Sequence, residues 1–140
     1  MRAGNDIIPT SDGNYLIVGI SEAPDGRCSI MLMKVDPEGN EIWVNVIDDN
    51  TFRTATTALE ASDGGFVVMG FAGTDAGAGA MILKVDEHGQ PVWMEDFIDQ
   101  GLFHATSILL HPDGGYIIAG EMDTGGGVAD AFLLKLDAEH

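Results

Sequence analysis

The sequence repeats one motif three times. In each copy an aspartate and a glycine are followed by one further residue and then an aromatic residue, at Asp12–Tyr15, Asp63–Phe66 and Asp113–Tyr116. The three aspartates are 51 and 50 residues apart. A repeat of this length predicts that each copy is one supersecondary unit, which buries its apolar surface only by packing against its neighbours.

A second motif follows the first at a nearly constant distance. A Lys-apolar-Asp triplet begins 21 or 22 residues after each aspartate, at Lys34–Asp36, Lys84–Asp86 and Lys135–Asp137. In the first two copies the triplet leads through a glycine-containing turn to a tryptophan, Trp43 or Trp93. The third copy reaches His140 without an equivalent tryptophan.

Short apolar runs between these motifs predict β-strands. Each copy has one run after the aspartate and a second before the lysine, and both are rich in β-branched, aromatic and other apolar residues. The runs are 15–18, 66–69 and 116–119, then 30–33, 81–83 and 132–134. They are continuously apolar, which predicts strands covered on both faces. Between them lie segments rich in small residues, 21–29, 72–80 and 121–131, which we predict to be variable surface loops.

Two further strands complete each unit. One contains the tryptophan, at 41–47 and 91–97, and Pro91 indicates that it lies at a sheet edge. Gly39 and Gly89 precede it and are expected to supply the positive φ of a tight hairpin. The other strand precedes the aspartate, at 5–9, 55–59 and 105–109.

Each copy is therefore predicted to be a four-stranded antiparallel meander, and the chain to be all-β. Such units at this period indicate a β-propeller with about three blades, the last one incomplete. We assign residues 1–140 to a single propeller segment, with blade 1 at about 5–48, blade 2 at about 55–98 and a partial blade 3 at about 105–140.

The combination of Asp-Gly-Gly-Tyr, Leu-Lys-Leu-Asp and Gly-x-x-x-Trp resembles the blades of quinoprotein-like (PQQ-like) propellers. The likeness rests most closely on Val35 through Gly39 to Trp43, and on Val85 through Gly89 to Trp93. In that family the tryptophan packs between adjacent blades. The resemblance implies a propeller fold. It does not select a function, because such propellers serve as enzymes, binding modules and scaffolds.

Composition narrows the classes of partner. Asp and Glu number 23 against 6 Lys and Arg, which gives a net charge of −17 and argues against binding nucleic acid or an anionic membrane surface. The single cysteine, Cys28, excludes an internal disulfide. We expect a soluble chain without a signal peptide or a membrane-inserted segment, in an unassigned compartment. It would be extracytoplasmic or at the cell surface if it is a piece of a larger family member.

The repeated residues are interpreted as structural, because a functional site is usually asymmetric while these recur in every copy. Aspartate before glycine is a turn former, through side-chain bonds to nearby amides. Each lysine is expected to share a strand face with the aspartate two residues later. The tryptophans are expected to pack between blades. The set comprises Asp12, Asp63, Asp113, Lys34, Lys84, Lys135, Asp36, Asp86, Asp137, Trp43 and Trp93.

Three readings of function remain open. The first is a non-catalytic binding or assembly module that recognises its partner through loops on one face, and no cofactor is predicted for it. The second is part of a quinoprotein-like or glycan-active enzyme, whose acid–base pair would come from Asp48 and Asp49 or from Asp96 and Asp99.

The third reading is a calcium-stabilised adhesin repeat, with Asp75, Asp123 and Asp130 as candidate ligands on glycine-containing loops. An arc of three blades would expose two apolar faces, so self-association or further blades of a larger protein are the expected partners.

Overall fold

The computed structural model describes residues 2–74, 77–98, 102–123 and 129–137. These residues form strands and turns, without a helix among them. The eleven strands are β1 Arg2–Pro9, β2 Tyr15–Glu22, β3 Cys28–Val35, β4 Glu41–Ile47, β5 Phe52–Glu60, β6 Phe66–Thr74, β7 Gly77–Val85, β8 Pro91–Ile98, β9 Leu102–Leu110, β10 Tyr116–Asp123 and β11 Ala129–Leu136. In the described part of the chain, no helix is long and apolar enough to cross a membrane.

The strands form three antiparallel sheets, one for each copy of the repeat. The first sheet has the order β1-β2-β3-β4 and the second has the order β5-β6-β7-β8. The third has three strands within the described residues, in the order β9-β10-β11. The predicted all-β fold of antiparallel meanders is therefore confirmed. The edge position of the tryptophan strand is confirmed as well, because β4 and β8 each have one neighbour.

One hairpin geometry occurs at six turns of the described residues, which cover 10–14, 23–27, 36–40, 61–65, 86–90 and 111–115. In each, the first amide donates to the fifth carbonyl and the fourth amide donates back to the first carbonyl. The fourth residue is always a glycine, with φ between 81° and 89°. A side chain would strain this left-handed backbone, so the glycines predicted at 39 and 89 have their expected role.

A bulge in the first strand of each sheet explains a second repeated glycine. The register shifts at Gly4/Asp6 in β1 and at Ala55/Thr57 in β5. Opposite these bulges lie Gly19 and Gly70, where an added Cβ would overlap the carbonyl of Ala3 or of Thr54. Only glycine allows the two backbones to come this close.

Two apolar cores hold the three sheets together. The first core joins the first and second sheets and includes Leu16 and Leu32 on one side and Phe66 and Val68 on the other. The second core joins the second and third sheets, through residues such as Val67 and Ile118. Adjacent residues of β6 point into different cores, so the second sheet lies between the other two.

The prediction of strands covered on both faces is therefore confirmed for the second sheet only. In the first sheet Leu16 is fully buried while its neighbour Tyr15 is 38% exposed. In the third sheet Tyr116 is buried while Leu133 is 74% exposed. The outer sheets bury one face within a single chain and leave the other face open.

The predicted loops were too long. Strand β6 continues to Thr74 and β7 begins at Gly77, with Gly73 paired to Ala78. The other two loop segments are shortened in the same way, since β2 runs to Glu22 and β10 runs to Asp123. Small residues predict a loop because their strand propensity is low, but here the antiparallel ladder extends through them.

Candidate functional site

The two ends of the stacked sheets differ in how far the three copies agree. Five of the hairpin turns described above, all except 23–27, form one end, called here the turn end. Residues 23–27 and 48–51 lie at the opposite end, called here the loop end, together with the strand ends Thr74 and Gly77. Equivalent turns at the turn end share their length, one aspartate and one glycine, while the connections at the loop end differ in length and composition.

The turn end contains the same ion pair in every sheet. The lysine of the Lys-apolar-Asp triplet donates to the turn aspartate of its own sheet: Lys34 to Asp12, Lys84 to Asp63 and Lys135 to Asp113. The last two Nζ–Oδ2 distances are 3.1 and 2.9 Å. Each aspartate also accepts a backbone hydrogen bond from within its turn, such as the Gly65 amide at 2.9 Å. The repeated pair therefore ties the β1–β2 type of turn to the third strand of its sheet.

These contacts keep the turn aspartates ionised. The lysine hydrogen bond lowers the pKa of Asp12 and of Asp113, with further contributions from hydrogen bonds within the turns. For Asp63 the Gly65 amide is the largest cause of a lowered pKa, and Lys84 is the second. A carboxylate held in this way is a poor proton donor at neutral pH. The repeated pairs are thus suited to fixing turns and poorly suited to acid catalysis.

The aspartates that end the first two triplets belong to the next hairpin turn. Asp36 and Asp86 lie beyond the ends of β3 and β7, in the next hairpin turn. Asp36 Oδ1 accepts from the Asn40 amide at 2.8 Å, and Asp86 Oδ1 accepts from the Gln90 amide at 2.9 Å. These backbone bonds lower the pKa of both groups. Because β3 and β7 end one residue before these aspartates, the strand alternation that predicts a shared face with the lysine does not extend to them. Asp137 follows β11 and is exposed.

Trp43 lies between two sheets. It packs against the first core, and its ring covers Gly89 in the hairpin of the second sheet. A Cβ added at Gly89 would be 2.7 Å from two atoms of the indole ring. Asn45, on the same strand, donates to the Gly89 carbonyl at 2.6 Å. Trp93 packs against the second core in the corresponding way.

The loop end contains a charged cluster that has no counterpart in the repeat. Arg53, at the start of β5, is 4% exposed. Its Nη1 and Nη2 donate to the two carboxylate oxygens of Asp96 at 2.6 and 3.0 Å. Its Nε donates to both oxygens of Asp49 at 3.1 and 3.0 Å. The guanidinium therefore joins the linker between the first two sheets to the edge strand of the second.

The linker between the first two sheets, residues 48–51, is held by hydrogen bonds between its aspartate side chains and its own backbone. Asp48 accepts from the Asn50 amide at 3.0 Å and Asp49 accepts from the Thr51 amide at 3.2 Å. Asn50 has a φ of 64°, in the left-handed region that asparagine tolerates better than most residues. Arg27 extends the cluster, since it donates to Asp25 and to Asp48 at 3.3 Å each.

The electrostatics of this cluster are those of a closed ion-pair network. Burial alone would lower the pKa of Arg53, but hydrogen bonds to Asp96 and Asp49 outweigh it and raise the pKa. Burial alone would raise the pKa of Asp49, but the hydrogen bonds and charge of Arg53 lower it. Arg53 therefore engages both Asp49 and Asp96, and the lowered pKa of Asp49 makes it a poor acid for a glycosidase pair.

Of the three calcium candidates, only the side chain of Asp130 belongs to the part of the chain that the structure describes. Asp75 lies outside it, as does the side chain of Asp123. Asp130 is exposed, and its Oδ1 accepts from the Ala131 amide at 2.8 Å. Within the described ranges no group of three or more His, Cys, Asp or Glu side chains is placed to hold a metal ion.

Sequence reasoning missed Arg53. The repeat identifies what all three copies share, whereas the position of Arg53 is Arg2 in the first copy and Phe103 in the third. The available signal was the arginine itself, because the chain has only three and this one comes four residues after the acidic pair Asp48–Asp49. No protein-family model matches this sequence, and no curated protein is significantly similar to it.

Proposed function

We propose that this chain is a β-propeller segment that acts as a non-catalytic binding or assembly module, with its recognition surface at the loop end. One observation carries this proposal: the copies share turn length, backbone geometry and the Lys–Asp pair at the turn end, whereas their connections at the loop end differ in length and composition. A surface that recognises one particular partner needs asymmetry, and the loop end is where this chain is asymmetric.

The propeller part of the proposal is supported by the stacking. Three antiparallel sheets of the same design pack face to face in chain order through two apolar cores. Trp43 and Trp93 lie at equivalent places in these two cores, as the resemblance to quinoprotein-like blades implies. Repetition of the Lys–Asp pair gives each sheet the same rigid turn end, which leaves the other end free to vary.

The non-catalytic part is supported by the way the charged groups are used. All three lysines form ion pairs with turn aspartates, and Arg53 forms ion pairs with Asp49 and Asp96 at the loop end. A general acid would need a carboxyl group with a raised pKa. The pKa values of Asp12, Asp49, Asp63 and Asp113 are all lowered.

The experiment compares substitutions at the two ends. The full chain is immobilised and tested against a glycan array and an extract of the source cells, beside a loop-end variant with residues 23–26 replaced by glycine and serine. The control variant is Glu38→Ser, at an exposed turn-end position. We expect a partner that the loop-end variant loses and the control retains. Binding lost only by the turn-end control would refute the assignment.

The enzyme alternative is tested with the cofactor that the resemblance implies. Pyrroloquinoline quinone is titrated into the protein while the fluorescence of Trp43 and Trp93 is followed. Saturable quenching would favour the quinoprotein reading and contradict a purely non-catalytic module. We expect no saturable quenching.

A further inference from the structure

The repeat makes it possible to compare one structural position in three environments. We use "front" for the face of a sheet that packs on the preceding sheet, and "back" for the face that packs on the following one. The front of the second sheet and the back of the first meet in the first core, and the same relation holds for the third and second sheets in the second core. Two faces are left over, the front of the first sheet and the back of the third.

The leftover front face has the residue types that are buried in the other two copies. Ile7 is 55% exposed, while Ala58 and Ile108 at the equivalent positions are 5% and 9% exposed. Tyr15 is likewise more exposed than the equivalent Phe66 and Tyr116, which are buried. At these positions the residues of the open front face are as apolar as those of the two front faces that pack on a preceding sheet.

The leftover back face shows the same contrast. Leu133 is 74% exposed, while Ile82 and Leu32 at the equivalent positions are 1% and 0% exposed. Leu109 is 64% exposed, whereas the equivalent Leu59 packs into the second core. Ile117 lies beside Leu109 in the register of β9 and β10. Leu133, Leu109 and Ile117 therefore form an apolar patch on a face that is covered in the two preceding sheets.

These two faces are complementary to each other. Within the chain, the back faces of the first and second sheets are each covered by a front face of the same design. We infer that the front of the first sheet binds the back of the third sheet of a second copy of this chain, in a head-to-tail arrangement. The interface is heterologous, and it closes on itself if two copies meet at both ends. This inference rests on the propeller architecture proposed above.

The new interface should be weaker than the two internal ones. At the internal interface Trp43 covers Gly89, whereas a Cβ at the equivalent Gly39 would meet nothing within 4 Å. The described part of the third sheet contributes three strands and no counterpart of Trp43. The surface over Gly39 that a tryptophan ring would cover, called here the seat, therefore remains open in the head-to-tail complex. Association should consequently be reversible and dependent on concentration.

The test uses two lysine variants at exposed positions, so that the fold of the single chain is retained. Ile7→Lys blocks the front and Leu133→Lys blocks the back. Val92→Lys is the control, because Val92 is 61% exposed and lies on the edge strand β8, away from both faces. Thermal melting of each variant checks that folding is unchanged, and sedimentation equilibrium gives the mass.

Head-to-tail binding predicts a specific pattern of masses. The wild type and Val92→Lys should reach twice the 14.8 kDa of one chain or more, while Ile7→Lys and Leu133→Lys alone should remain at 14.8 kDa. An equimolar mixture of the two blocked variants should form a dimer again, because one intact front and one intact back remain.

Two results would overturn the inference. A Leu133→Lys variant that still dimerises while Ile7→Lys does not would indicate a front-to-front interface. A wild type that stays at 14.8 kDa and melts cooperatively would mean that the two faces do not bind each other. In the second case the stacking within one chain is tested separately, by the Gly89 variant described below, so failure of self-association and failure of the propeller architecture can be told apart.

Discussion

Replacement of Arg53 by methionine tests whether the charged cluster at the loop end fixes the linker between the first two sheets to the second sheet. Methionine keeps an apolar stem of similar length but removes every hydrogen bond to Asp49 and Asp96. Removal of one partner from a buried ion pair costs about 3–5 kcal/mol. Here the two carboxylates are 37% and 25% exposed, so water partly solvates them once the guanidinium is gone.

We therefore expect Arg53→Met to lower the free energy of unfolding by about 2–3 kcal/mol. For a chain of this size that corresponds to a decrease in Tm of roughly 6–15 °C. The assay is urea unfolding followed by tryptophan fluorescence, with a thermal melt by circular dichroism. Trp43 packs against the core between the first two sheets, so its fluorescence reports on their separation during unfolding.

Arg27→Met is the matched control. Arg27 makes two ion pairs at 3.3 Å, and its side chain is 31% exposed. Exposed pairs of this kind contribute about 0–1 kcal/mol, so this variant should be close to the wild type. If both arginine variants lose the same stability, or if Arg53→Met loses less than about 0.5 kcal/mol, the proposed role of the buried cluster is refuted.

Three further predictions follow from the same contacts. Gly89→Ala should lower the free energy of unfolding by about 1–3 kcal/mol more than Gly39→Ala, because both variants strain a left-handed φ but only Gly89 lies under Trp43. Equal losses in urea unfolding would contradict the contact between Trp43 and Gly89. The lowered pKa of Asp49 means that its contribution is present above the ordinary carboxyl range and is lost as pH falls through the folded pKa. The stability of the wild type should therefore fall more steeply below about pH 4 than that of Arg53→Met, and parallel pH profiles would count against the pair. Calcium and a chelator should give the same Tm, and a clear increase with calcium would favour the adhesin reading.

Much of the fold could be predicted from the sequence because the repeat samples each position up to three times. Every predicted strand is present, and Gly39 and Gly89 have the expected backbone conformation. Strand ends at the loop end were misjudged, since Gly73 and Ala78 have low strand propensity and are held by their ladder partners. Propensity describes the isolated segment, while pairing depends on its neighbour.

The contacts of the site were harder to predict. The distance between Asp12 and Lys34 in sequence says nothing about their pairing until the strand register is known. Arg53 was missed because its partners Asp49 and Asp96 are not part of the motifs that all three copies share. The exposure of Leu133 was also unpredictable from its residue type, because the same position is fully buried in the two preceding copies.

The central claim is that consecutive repeats stack face to face in chain order and that the first sheet has an open seat. Proton NMR of the wild type tests this most directly, by comparison of the α-protons of Gly39 and Gly89. The account predicts that the Gly89 α-protons show nuclear Overhauser contacts to the Trp43 ring and are shifted upfield by it, while those of Gly39 show neither effect. If the two glycines are indistinguishable, Trp43 does not cover the second sheet and the stacking order is wrong.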